Sequence, residues 1–128
     1  MSSTVGDAVH AYAAAWRAGD LPAMVGGYHD DFTLHYAGRN SLAGVHVGKA
    51  KALAVLAEVS RRTNRQLVEI VDVMVGETRA AILARERFRR DGREAVVERL
   101  LVYTARDGRL DACWVHETDQ ALTDSFLD

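Results

Sequence analysis

The sequence predicts an α+β domain, helices first and an antiparallel sheet second, and three observations carry that expectation. Val5, Val9, Tyr12 and Trp16 recur at helical spacing near the start. From Gln66 onward the apolar period falls to two, through LVEIVDVMV, TRAAILARERFRR, REAVVERLLVYTAR and RLDACWVHE. Asp91-Gly92 and Asp107-Gly108 punctuate that second half; Asp-Gly suits the tight hairpin turn in which both central residues need positive φ. A chain of 128 residues that is 48% hydrophobic can bury one sizeable core and is too short for two ordinary domains, so residues 1–128 are read as one domain.

The elements follow in order. Ser2-Ser3-Thr4 offers capping hydroxyls to the first helix and Gly19 stops it. Asp20 caps a short second helix, with Pro22 at an early position where its missing N–H does no harm, ending around Gly26-Gly27. Asp31 to Tyr36 reads as a strand and the polar segment RNSLAGVHVG as a loop. Lys49 to about Arg62 places Leu53, Leu56 and Ala57 on one helical face. After the last strand, Asp119 and Asp124 read as caps of a C-terminal turn.

Composition excludes several functions. With 16 basic and 18 acidic residues interspersed and a net charge of −2, no basic field exists to hold a nucleic-acid backbone. The single cysteine, Cys113, has no partner for a disulfide, and no His/Cys spacing suits a metal. Nowhere do about 18 apolar residues run together, and MSSTVGDAVH lacks a leader's apolar core, so a cytoplasmic protein with no membrane partner is expected. No phosphate-binding glycine loop follows a strand, and no cofactor is expected.

If both Asp-Gly pairs are two-residue turns, the faces of the sheet follow. Arg85 falls opposite Glu98 and Arg89 opposite Glu94 on one face, favourable pairs that support the register. The other face is apolar except for Glu86, Arg99 and His116, with His116 opposite Arg99 and Glu86 diagonal to it. Cys113, Val115 and Glu117 are phased outward; a bulge would reverse that locally. Ionisable groups on an apolar face must satisfy one another, reach water or meet a ligand, and a pocket meets all three demands.

The early AYAAAWRAGD helix, the DDFTLHYAGRNSLAGVHVGKA segment, the RDGR and RDGRL turns and the closing Trp114-to-Gln120 segment resemble, in their order, the SnoaL-like branch of the nuclear transport factor 2-like superfamily. The resemblance implies a cone-shaped, curved antiparallel or mixed sheet wrapped around an apolar pocket closed by N-terminal helices. It also implies a homodimer through the outer sheet face, where Leu83, Leu100, Val102 and Val115 are phased. Its members include polyketide cyclases, ketosteroid isomerases, epoxide hydrolases, dehydratases and binding domains, so the fold does not select the reaction.

The side chains suggest general acid/base proton transfer on a hydrophobic small molecule. Histidine is the side chain whose unperturbed pKa lies near neutrality, so His116 is the candidate proton carrier, where cyclase and isomerase relatives use a carboxylate; the alternative is a histidine bonded to the neighbours of Arg99 or solvated near the strand end. Arg99 and Glu86 form either a stabilising cation with its partner or a structural ion pair. Epoxide-hydrolase-like water activation is a third reading, although no aspartate stands two residues after Arg99. His35 is a further polar candidate on the first strand, and His46 lines the pocket mouth or caps the following helix. His10 and His29 read as surface residues. Tyr12, Trp16 and Tyr36 are candidate ligand contacts from the first half. Phe88, Leu101, Tyr103 and Trp114 join them from the sheet. A non-catalytic binding or dimerisation domain is the reading from another class.

Overall fold

Residues 4–128 are described by a computed structural model of the chain. α1 (Val5–Ala18) begins with a capping box in which Thr4 and Asp7 exchange side-chain-to-backbone bonds, and ends at Gly19 in the left-handed conformation. α2 (Leu21–Gly26) is capped by Asp20. β1 (Tyr28–Tyr36) starts three residues before the expected strand, and the loop after it contains a short strand, β2 (Gly44–Val47). α3 (Lys49–Thr63) then leads into β3 (Gln66–Val75), β4 (Ala80–Arg90), β5 (Arg93–Arg106) and β6 (Arg109–Glu117). The expected C-terminal turn is a helix, α4 (Gln120–Leu127), with Asp119 as its N-cap. No helix among the described residues is long and apolar enough to cross a membrane.

The six strands form one mixed sheet in the order β2-β1-β6-β5-β4-β3, parallel between β1 and β6 and antiparallel elsewhere. Asp91 and Gly92, at φ 50° and 78°, and Asp107 and Gly108, at 54° and 75°, make the two tight turns. The β4–β5 register is the expected one throughout: Arg85 lies opposite Glu98, with Nε donating to the carboxylate at 3.1 Å, and Arg89 lies opposite Glu94. The inner face packs on α1 and α3, and the core gathers Val9, Phe32, Leu34, Ile82 and Leu110.

Between β5 and β6 the register departs from the expected one. Arg106 faces Arg109 and Ala105 faces Leu110 as the turn dictates, but Thr104 faces Ala112, so Asp111 is an extra residue. Thr104 Oγ1 donates to Asp111 Oδ1 at 2.5 Å and fixes the bulge. Beyond it every β6 side chain changes face: Leu100, not Arg99, lies opposite His116, and Arg99 lies opposite Glu117. Cys113 and Val115 are therefore buried and His116 is exposed. Burial supplies the reason. Arg99 is 1% exposed, and the bulge gives it a carboxylate where the unbulged strand gives it an imidazole. Arg99 Nε donates to Glu117 Oε1 at 2.5 Å.

α4 packs against α3, β4 and β6. Thr123 Oγ1 donates to Glu117 Oε2 at 2.7 Å, while Arg62 and Arg90 donate to the carbonyls of Leu127 and Phe126. Asp124 caps no turn; it accepts from the Arg39 N–H, Asn40 Nδ2 and Gln120 Nε2 at 3.1, 2.7 and 2.9 Å. This clasp requires Gly38: its φ is 114°, and a Cβ there would lie 2.4 Å from Asp124 Oδ1. Burial pushes the Asp124 carboxyl up, but these hydrogen bonds more than offset it and hold it below its ordinary value.

Two stability predictions follow from the bulge and the clasp. Glu117→Ala breaks a buried ion pair and leaves the buried Arg99 Nε and Thr123 hydroxyl without their acceptor, and should cost about 3–5 kcal/mol. His116→Ala should stay within about 0.5 kcal/mol of the native protein in urea denaturation, and the reverse ranking would put His116 inside. The stability contributed by ionised Asp124 is complete above the ordinary aspartate value of about 3.9 and is lost as pH falls through the lowered folded value. Asp124→Asn should therefore flatten the acid limb of a stability–pH curve below about pH 4, whereas an unchanged limb would separate the clasp from acid unfolding.

Candidate functional site

α1, α2 and α3 stand over the inner face of the sheet and leave an opening between them. Two overlapping chambers occupy it. The outer, of about 440 Å³, is walled by Val25, Leu53, Leu56 and Ala57. The inner, of about 270 Å³, reaches Glu86, Arg99, Leu101, Tyr103 and Val115 on the sheet. Tyr12, Met24, Tyr28 and Arg65 border both, so an apolar mouth leads to a polar floor.

Arg99 organises that floor. Each of its three nitrogens donates: Nε to Glu117, Nη1 to Glu86 Oε1 at 3.0 Å, and Nη2 to the Tyr36 hydroxyl at 2.8 Å. Burial pulls the guanidinium pKa down, but Tyr36, Glu86 and Glu117 hold it well above the ordinary arginine value, so it stays charged. Glu117 is sealed between Arg99 and Thr123. Glu86 is different. Its Oε1 is taken by Arg99, while its Oε2 accepts no hydrogen bond from the described residues and lies 3.8 Å from Arg65 Nη1.

Tyr12 and Tyr28 share a hydrogen bond between their hydroxyls at 2.5 Å, and the Tyr12 ring packs against Tyr103 with centroids 5.9 Å apart. Burial pushes Tyr12 up to about 12 and raises Tyr28 and Tyr103 as well. All three are neutral O–H donors at physiological pH. The Cys113 thiol, buried beside Tyr103 rather than on the outer face, is likewise pushed up to about 12 by burial and is a poor nucleophile.

The residues singled out from sequence divide between two sides of the sheet. Glu86 and Arg99 meet on the inner face, with Tyr12, Trp16, Leu101 and Tyr103 lining the inner chamber. Tyr36 is buried behind Arg99. Phe88 packs instead with Phe126 and Val97 in a small second core under α4. His35, Trp114 and His116 lie outside. The bulge turns the two β6 residues outward; His35 pairs with Val45 and Trp114 and stacks on the indole, 4.6 Å between centroids and 7° between planes. Arg79 stands 4.5 Å from the Trp114 ring centroid. His46 sits on β2 with Nε2 2.7 Å from the Leu42 carbonyl and lines neither chamber.

Sequence reasoning missed Glu117, Tyr28, Arg65 and Thr123. Glu117 was misphased by the bulge, and Tyr28 precedes the expected strand. Arg65 follows Asn64, the left-handed residue that ends α3, where no period assigns it a face. Thr123 lies in the helix read as a turn. Among the described residues, no three His, Cys, Asp or Glu side chains are grouped to hold a metal ion.

Known structures share this architecture. A nuclear transport factor 2-like protein from Burkholderia xenovorans LB400 superposes with a TM-score of 0.79 at 19% identity, covering 100% of each chain. A putative polyketide cyclase from Pseudomonas putida KT2440 gives 0.71 at 23%, covering 97% of this chain and 96% of that one. TerC, co-crystallized with polyporic acid, gives 0.78 at 19%, covering 94% and 95%. No curated protein matches the sequence. The family model for the SnoaL-like domain matches residues 9–112, most of the chain, and the chain therefore belongs to the SnoaL-like domain family.

Proposed function

We propose that this domain is a cofactor-independent enzyme that takes a hydrophobic small molecule into the cone and moves a proton on it, with Glu86 as the base. One observation carries the reading. Glu86 lines the inner chamber with one oxygen held by Arg99 and the other free of hydrogen bonds from the described residues. Such a carboxylate has a lone pair available to an acidic C–H or O–H. Arg99 keeps it oriented, and the Tyr12–Tyr28 pair, whose one hydroxyl donates to the other, leaves a single O–H to offer to charge that develops on a ligand oxygen. Proton abstraction beside a carbonyl is the reaction class that uses a carboxylate and hydroxyl donors together. Isomerisation, cyclisation and dehydration all contain such a step. The structures of a putative polyketide cyclase and of TerC with polyporic acid support a small organic ligand. His116, on the far side of the sheet, has no part in this scheme.

A second reading, binding without catalysis, draws on the engagement of every Arg99 nitrogen and the sealing of Glu117. We also propose a homodimer through the outer face. Val45 and Val47 are 61% and 67% exposed there, with Leu83, Leu100 and Val102 half-buried beside them and Trp114 in the place expected of Val115.

2-Acetonaphthone, an apolar bicycle with an enolisable methyl ketone, tests the chemistry. In D₂O the native protein should accelerate exchange of its acetyl protons, followed by proton NMR, and Glu86→Gln should lower that acceleration by about 10²–10⁴. An exchange rate no faster than buffer favours binding without catalysis. Sedimentation at micromolar concentration should show a dimer, and Trp114→Glu should shift it to monomer; a native monomer would remove the dimer proposal.

A further inference from the structure

We propose that Arg65 is the ligand anchor of this cavity and that it selects molecules carrying an acceptor oxygen two or three ångströms from their acidic hydrogen. Such molecules are enolisable carbonyl compounds or vicinal hydroxy-carbonyl compounds on an apolar skeleton. The inference rests on the proposed proton transfer for its substrate class, and on the following geometry for its residue.

Three charged side chains border the inner chamber: Arg65, Glu86 and Arg99. Arg99 cannot serve a ligand without giving something up, because each of its nitrogens already donates to the protein. Arg65 is fastened differently. Asn64, at φ 47°, turns the chain at the end of α3, and the Arg65 side chain returns beneath that helix. Nε donates to Ser60 Oγ at 2.8 Å, and Nη2 reaches the Leu56 carbonyl, in the middle of α3, at 3.4 Å. Nη1 has no hydrogen-bond partner among the described residues, and its carboxylate neighbour, Glu86 Oε2, stands at 3.8 Å, too far for a hydrogen bond.

A charged donor and a carboxylate oxygen therefore face one cavity side by side, each with unused hydrogen-bonding capacity. Their separation fixes what fits between them. An acceptor about 2.9 Å from Nη1 places the adjoining carbon or hydroxyl of the same ligand within reach of Oε2. The oxygen and α-carbon of a ketone, or the two oxygens of a hydroxy-ketone, have that spacing. Arg65 also borders the outer chamber, so the same guanidinium stands where the apolar mouth becomes the polar floor. Once the proton has moved to Glu86, the negative charge left on the ligand oxygen lies against Arg65 rather than against Arg99, whose nitrogens are all engaged.

The test compares 2-acetonaphthone with 2-ethylnaphthalene, which has the same skeleton and nearly the same shape but no acceptor, by calorimetric titration. The native protein should prefer the ketone by at least about tenfold, the lower range for a hydrogen bond from a charged donor. Arg65→Met should erase that preference while leaving the affinity for 2-ethylnaphthalene within about twofold. Arg65→Lys, which keeps a charge but lacks the fastened fork, should restore part of it and covers the case in which the methionine variant fails to fold. Glu86→Gln separates the two proposals: it should retain the ketone preference while losing proton exchange. A native protein with no preference, or an undiminished preference in a folded Arg65→Met or Arg65→Lys variant, overturns the anchor whether or not exchange is seen. Preference lost at Arg65 without any exchange in the native protein leaves the anchor standing and removes the proton transfer.

Discussion

Burying a guanidinium inside a small cone is the constraint on which this structure turns. An unpaired charge there would cost several kcal/mol, so Arg99 needs counter-ions from elements that are not its neighbours in sequence. Glu86 comes from β4, Glu117 from β6 and the Tyr36 hydroxyl from β1. One side chain on β5 thereby ties together β1, β4 and β6. The chain of bonds continues: Glu117 accepts from Thr123, so the demand of one buried cation sets the phase of β6 and the seat of α4.

The same demand separates two functions within one cluster. Away from the mouth, Arg99, Glu117, Tyr36 and Thr123 are mutually bonded, with every Arg99 nitrogen already engaged. Toward the mouth, one oxygen of Glu86, one nitrogen of Arg65 and the Tyr12–Tyr28 pair border open space. The closed half holds the open half in place. With Glu86 2% exposed, a fixed carboxylate and fixed donors interact with a ligand more strongly than they would at the surface, and they need not reorganise when charge moves.

Much of this was legible in the sequence, and what was not has identifiable causes. The hairpins were legible because Asp-Gly answers a steric demand for positive φ that few dipeptides meet, and Arg85–Glu98 and Arg89–Glu94 then verified the β4–β5 register by charge. Glu86 and Arg99 followed from it. β6 was misread beyond Asp111 because a bulge rests on one local bond, from Thr104, that periodicity does not encode, and RLDACWVHE has apolar residues in both phases. His116 and Glu117 are adjacent, so one extra residue exchanged them. Hydrogen-bonding capacity held the missing information: Glu86 takes one nitrogen of the buried Arg99 and leaves the others needing acceptors, and Glu117 was the nearest acceptor for Nε.

Arg65 was hidden for another reason. It belongs to neither the helix before it nor the inner face of the strand after it, and as one of 14 arginines it has no sequence pattern that marks it. Its position depends on a left-handed Asn64 and on Ser60 one turn back, so only the folded chain brings it to Glu86. This places the two kinds of cation in this cone under different pressures. Arg99 is fixed by its bonds to two carboxylates and a tyrosine hydroxyl, and a change there must break the floor. Arg65 sits on the rim of the same charge cluster, fastened by a hydroxyl and a carbonyl, and a substitution there alters what the cavity accepts before it alters whether the chain folds. A fold that supports many chemistries needs such positions: close enough to the reacting carboxylate to choose its substrate, and far enough from the buried lock to vary.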